Sequence, residues 1–329
     1  MREIVIHQML LFFAVFLIGM LCVKQNILRR ESLPHLAGLM AKVLLPVMIF
    51  SISYFGVTWA MVRQNAVVLL ITAGFYLIVS GVMFLTAMAA SVPMERRGVF
   101  CFAFIFGNTG FVGAPLLAAL LPETGGLCLV LFSIVDQLLF WTYGVWLASD
   151  DKIGQRFSLK RFLNPNLIAI TLALVFVAAR VQLPKIAEDV LLTLKNAVPA
   201  VSMLYLGALF ACSDWKTAFR TKELYFGITV KMLLLPILLG KLLTLTTLPA
   251  GTVSAMVILM GLPTMTVVPM IAETYGKEGA YASGITAATL AASIVTIPVV
   301  FSIVCSILAL CSVGLPLQSS SARYCNQQT

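Results

Sequence analysis

The chain has 329 residues, 60% of them hydrophobic and 11% charged, and carries a net charge of +9. Its mean hydropathy is +1.02. Soluble domains are closer to half apolar and a quarter charged, so this composition excludes an ordinary water-soluble fold and marks an all-α polytopic membrane protein. The basic excess is spread in a way that fits membrane orientation rather than a nucleic-acid partner.

Ten apolar spans are predicted, near 4–23, 36–57, 66–90, 98–121, 126–148, 166–182, 190–211, 224–246, 251–274 and 281–311. The first resembles a signal peptide only superficially. Its apolar run is long, no small-x-small cleavage site follows, and the basic residues come after it, so it reads as a membrane helix. Span 2 contains Lys42-V-L-L-Pro46.

Span 4 is interrupted by G-N-T-G-F-V-G-A-P at 107–115. Gly107, Gly110 and Gly113 remove side chains where the backbone must bend or be approached closely. Pro115 suits the first turn of a second half-helix, where its missing N–H has no partner to lose.

Span 5 carries Asp136 and Gln137 about ten residues in, near the membrane centre. A charge at that depth lines a cavity or pairs with another group. Asp136 is the candidate coupling residue, with a structural hydrogen-bonding role as the competing reading. The polar, basic segment 149–165 divides the chain into a first unit, 1–148, and a second, 166–329.

Span 7 contains Lys195-N-A-V-Pro199, and span 9 is interrupted by G-L-P-T-M-T-V-V-P at 261–269. In span 8, Lys231 lies toward the cytoplasmic side, within reach of that interface, and spacing gives no support for pairing it with Asp136. The seven cysteines are scattered without a CxxC pair and read as small core hydrophobes. His7 and His35 sit near span ends and form no ligand cluster, so no metal site is expected.

Basic residues then set the orientation. Of the 22 Lys and Arg, thirteen fall in loops after spans 1, 3, 5, 7 and 9, five on the opposite side and four inside spans. By the positive-inside rule both termini face away from the cytoplasm and the 149–165 loop lies within it. Five spans per half force the second half to enter the membrane upside down. The two G-x7-P elements lie 154 residues apart (261 − 107) and the two Lys-x3-Pro elements 153 (195 − 42), as an internal repeat requires. Lys42 and Lys195 would sit near opposite faces and snorkel to them.

Matched breaks in corresponding halves are the sequence pointer to a transporter binding site. The half-helices beginning near Pro115 and Pro269 would start at mid-membrane and turn partially positive N-terminal ends toward a small anion. Asn108, Thr109, Thr264 and Thr266 add donors and acceptors without fixed charge. The competing reading is two kinked helices packed closely through glycines.

G-N-T-G-F-V-G-A-P-L at 107–116 resembles the fourth-helix motif of the auxin efflux carrier family, whose bacterial members include permeases for malonate, malate and similar acids. The likeness covers essentially the whole chain. It implies two inverted five-helix repeats with broken helices 4 and 9 crossing near the midplane. It places Asn108, Gly110, Gly113 and Pro115 at the first crossover and Pro269 at the second. The chain departs from the pattern at Leu262, which stands opposite Asn108. The short 149–165 segment, against the long loop of plant members, points to a compact bacterial permease.

H-E-x-x-H, a nucleophile with a positioned base and a P-loop are all missing, so an enzyme is not expected. The expected function is secondary transport of a small organic anion, a mono- or dicarboxylate, across the cytoplasmic membrane by alternating access. The alternatives are a sodium-coupled symporter of the bile-acid carrier type and a non-transporting sensor with a carrier fold. No cofactor is expected beyond a coupling proton or sodium ion. The partners are the anion and the lipid bilayer, without nucleic acid, and a homodimer is left open.

Overall fold

The computed structural model describes residues 2–148, 165–212, 221–275 and 277–314. The expected linker thus lies outside the described residues except for Pro165, as does the polar tail after Pro316. In chain order the helices are α1 (Arg2–Lys24), α2 (Arg30–Gly56), α3 (Trp59–Gln64), α4 (Val67–Ala89), α5 (Met94–Ile105), α6 (Thr109–Leu120) and α7 (Gly125–Ala148). They continue with α8 (Pro165–Ala179), α9 (Lys185–Cys212), α10 (Lys222–Thr244), α11 (Ala250–Met260), α12 (Val268–Thr274) and α13 (Gly279–Gly314).

Among the described residues six helices are long and apolar enough to cross a membrane: α2, α4, α7, α9, α10 and α13. Shorter apolar helices lie at Leu10–Lys24, Thr109–Leu120, Pro165–Ala179 and Ala250–Met260. Large apolar side chains such as Leu70, Leu77 and Leu85 of α4 stay exposed on the outer surface, as a lipid-facing helix requires.

Proline shapes several helices from within. It brings no N–H and its ring crowds the carbonyl four residues back, and one response is for the preceding turn to widen. Leu45 N–H reaches back five residues to the Met40 carbonyl just before Pro46. Ala114 does the same to Thr109 before Pro115, and Leu235 to Val230 before Pro236. A fourth wide turn, Phe140–Gly144, has no proline beside it. There the Cβ that Gly144 lacks would lie 2.7 Å from the Phe102 ring and 2.8 Å from that of Phe106.

The helices sort into two packed groups, each drawing on both halves of the chain. In one, α1 lies along α9 and α2 packs on α8 and α9. The α1–α9 approach is close because Gly19 faces the Leu204 carbonyl and Gly207 the Phe16 carbonyl, leaving no room for a Cβ at either. In the other, α4 packs on α5 and α7, while α10 packs on α11 and α13. Contacts of α11 with α7 and of α13 with α5 tie this group together. Its interior is dense with fully buried rings, including Phe100, Phe102, Phe104, Phe106, Phe132 and Phe140.

Candidate functional site

The two breaks meet inside the second group. Helix α5 stops at Ile105 and Phe106 turns into extended backbone with φ −97° and ψ 116°. Its ring is wedged between those of Tyr76, Phe102 and Phe140, with centroids 5.4, 5.8 and 5.3 Å away, which fixes where the chain leaves the helix. Helix α11 stops at Met260, and Pro263 prevents it from continuing.

Backbone groups released by these stops are satisfied mainly by one another. Gly107 and Thr264 form an isolated antiparallel bridge. Asn108 N–H donates to the Pro263 carbonyl at 2.7 Å, and Met265 N–H donates to the Phe106 carbonyl at 3.1 Å. Buried backbone must be paired, and the crossing does this with a fragment of sheet in an otherwise helical interior.

Asn108 also caps α6. Its Oδ1 accepts from Phe111 N–H at 3.1 Å, and its carbonyl accepts from Val112 and Gly113. Unwinding is shorter than the sequence predicts. Only Phe106–Asn108 leaves helical geometry, because the wide turn Thr109–Gly113 carries the chain to Pro115 without a full break. The second break extends from Gly261 to Val267, and Pro269 is the second residue of α12.

Each break is gripped by side chains from neighbouring helices. At the first, Asp136 of α7 accepts from Tyr76 Oη, from Gln137 Nε2 at 2.9 Å and from Thr109 Oγ1 at 3.2 Å. Asp136 is fully buried. At the second, Thr264 N–H donates to Thr289 Oγ1 of α13 at 3.1 Å, and Lys231 Nζ of α10 donates to the Leu262 carbonyl. Lys231 is 2% exposed, so its ammonium does not reach an interface as its position in the sequence suggests. It lies at the crossing because α10 turns that face inward, whereas Lys42 and Lys241 are exposed on the outside.

The ammonium and the Asp136 carboxyl act on each other electrostatically without a direct ion pair. Spacing alone gave no sign of this relation. Tyr76, Lys231 and Thr289 are residues that the sequence reading did not assign to the site. Of these only Lys231 carried a signal, as a charge inside an apolar span.

The structure gathers Asn108, Thr109, Gly113, Pro115, Thr264 and Thr266 in the buried interior, with Gly110 and Pro269 half-buried. The glycines serve close packing. A Cβ at Gly113 would lie 2.8 Å from Leu262 Cδ1, one at Gly107 would lie 3.0 Å from Leu262 Cβ, and one at Gly110 would lie 3.0 Å from Leu45 Cδ1. Leu262, the departure from the family pattern, is fully buried and fills the space beside the first break. Two polar atoms on the bridging strand pair are left over. Asn108 Nδ2 and Thr264 Oγ1 are buried and have no hydrogen-bond partner.

Apolar helices enclosing a pair of broken, mutually hydrogen-bonded segments are the arrangement expected of a multi-pass membrane transporter. The chain matches the membrane transport protein family twice, over residues 4–152 and 151–301. It therefore belongs to this family, the auxin efflux carriers, whose members are transporters and not enzymes. No curated protein matches the chain.

Proposed function

We propose that this carrier moves a small organic anion, a mono- or dicarboxylate, across the cytoplasmic membrane by alternating access around the crossing. The observation that carries the reading is the pair of orphaned polar atoms, Asn108 Nδ2 and Thr264 Oγ1. Leaving a buried polar atom unpaired costs about 1–3 kcal/mol, so the retention of one on each of the two breaks fits a ligand that supplies the partner. Asn108, Thr109, Gly110, Gly113, Pro115, Thr264, Thr266 and Pro269 form this substrate site, and a bacterial dicarboxylate permease is the functional type that this reading favours.

Ten membrane spans in two inverted repeats, with both termini outside, provide the framework. Packing supports it: exchanging the halves turns the α1–α9 pairing into α8–α2, and the α4–α7 pairing into α10–α13. Asp136 is the coupling residue. When it is ionised, Lys231 is electrostatically balanced; when it is protonated, the Lys231 charge is uncompensated and attracts the substrate carboxylate. Counterflow of radiolabelled dicarboxylates in proteoliposomes, with pH and sodium gradients varied separately, tests the reading. Saturable exchange that Asn108→Ala abolishes is expected, and exchange unaffected by Asn108→Ala overturns the site.

A further inference from the structure

Lys231 has a second consequence, which lies in the acceptor it touches. The α11 helix ends at Met260, and the carbonyl of Leu259 would normally accept a hydrogen bond from the N–H four residues on. That residue is Pro263, which has none. A helix carboxyl end carries partial negative charge, and unwound carbonyls at such an end are where carriers hold a monovalent cation.

The Lys231 ammonium sits at this place. It donates to the Leu262 carbonyl, and it lies 3.5 Å from the point where a Gly107 Cβ would be, with the Leu259 carbonyl oxygen 3.7 Å from that same point. Asp136 is the opposite charge that acts on it. An ammonium has the charge of sodium or potassium and three N–H donors to replace coordination by oxygens. Unlike a free ion, it cannot leave.

We infer that the Lys231 ammonium is a resident, tethered cation in the seat that a mobile monovalent cation occupies in a sodium-driven carrier. A charge that never dissociates cannot draw energy from a sodium gradient, so this crossing works without sodium. Removing the side chain frees the Leu262 carbonyl just beyond the end of α11 and leaves Asp136 unbalanced, which opens the seat to sodium or potassium. The inference rests on the crossing being the transport site, and its test is independent of any substrate.

The full-length protein is purified in detergent and its thermal unfolding followed in sodium, potassium and choline chloride at equal ionic strength. Wild type is expected to melt at the same temperature in all three. Lys231→Ala is expected to melt lower in choline and to recover by at least about 2 °C, saturably, in sodium or potassium. Lys231→Ser, which leaves similar space, gives the same readout if the alanine variant is not recovered folded. Saturable stabilisation of wild type by sodium, or variants indifferent to the cation, overturns the inference. A failure to transport any carboxylate would remove the substrate reading and leave these melting curves to decide the seat.

Discussion

Gly113→Ala is the sharpest single perturbation of the crossing. The added methyl would lie 2.8 Å from Leu262 Cδ1, whereas ordinary contact begins at 3.4 Å, so the leucine tip must retreat by about 0.6 Å. Leu262 is fully buried and its carbonyl is held by Lys231, which leaves it little freedom to move. Overpacking of this kind costs about 1–3 kcal/mol. For a chain of this size that lowers the melting temperature by about 2–6 °C.

Leu262→Val removes the δ carbon that clashes and by itself costs about 0.5–1.5 kcal/mol. The double variant should therefore be more stable than the sum of the two single costs, with a coupling of about 1 kcal/mol. Thermal unfolding of the four proteins in detergent completes the cycle, and counterflow uptake reports whether displacing Leu262 disturbs transport. Gly113→Ala is expected to lose uptake and the double variant to regain part of it. Additive stability costs, or a Gly113→Ala protein with normal melting and uptake, would refute the packing argument.

Reporter fusions after residues 160 and 329 should report opposite sides of the membrane, and same-side signals would remove both the topology and the inverted repeat. Asp136→Asn should keep substrate exchange and lose dependence on the driving gradient, because the amide mimics the protonated carboxyl; gradient-driven accumulation equal to wild type would make Asp136 only a structural hydrogen-bonding residue. Arg96 makes a bidentate pair with Glu278, at 2.8 and 2.9 Å, between the starts of α5 and α13. Both side chains are substantially exposed, so a double-mutant cycle should give no more than about 1 kcal/mol and fade in high salt; a large, salt-insensitive coupling would contradict this.

Much of the candidate site was legible because it is written in backbone chemistry. Gly107 and Pro263 announce where helices cannot continue, Pro115 and Pro269 where a turn must adjust or a half-helix can begin, and that information is local. The wide turns before Pro46, Pro115 and Pro236 were present in the same signal, since each proline removes a donor at a known position. They went unread because a helix can respond to proline by kinking, breaking or widening. Choosing among these depends on what packs around the turn.

The sequence by itself determined that this chain is a helical membrane protein with two broken segments, because apolar length and missing N–H groups act within a few residues of where they occur. Only the tertiary structure decided what the breaks are paired with. The Gly107–Thr264 bridge joins residues from opposite halves, and Tyr76 and Asp136 come from helices separated by the first break. Lys231 shows the difference most plainly. Its charge was visible in the sequence, but whether it faced lipid or the crossing depended on the rotation of α10 about its axis, which packing against α11 and α13 sets.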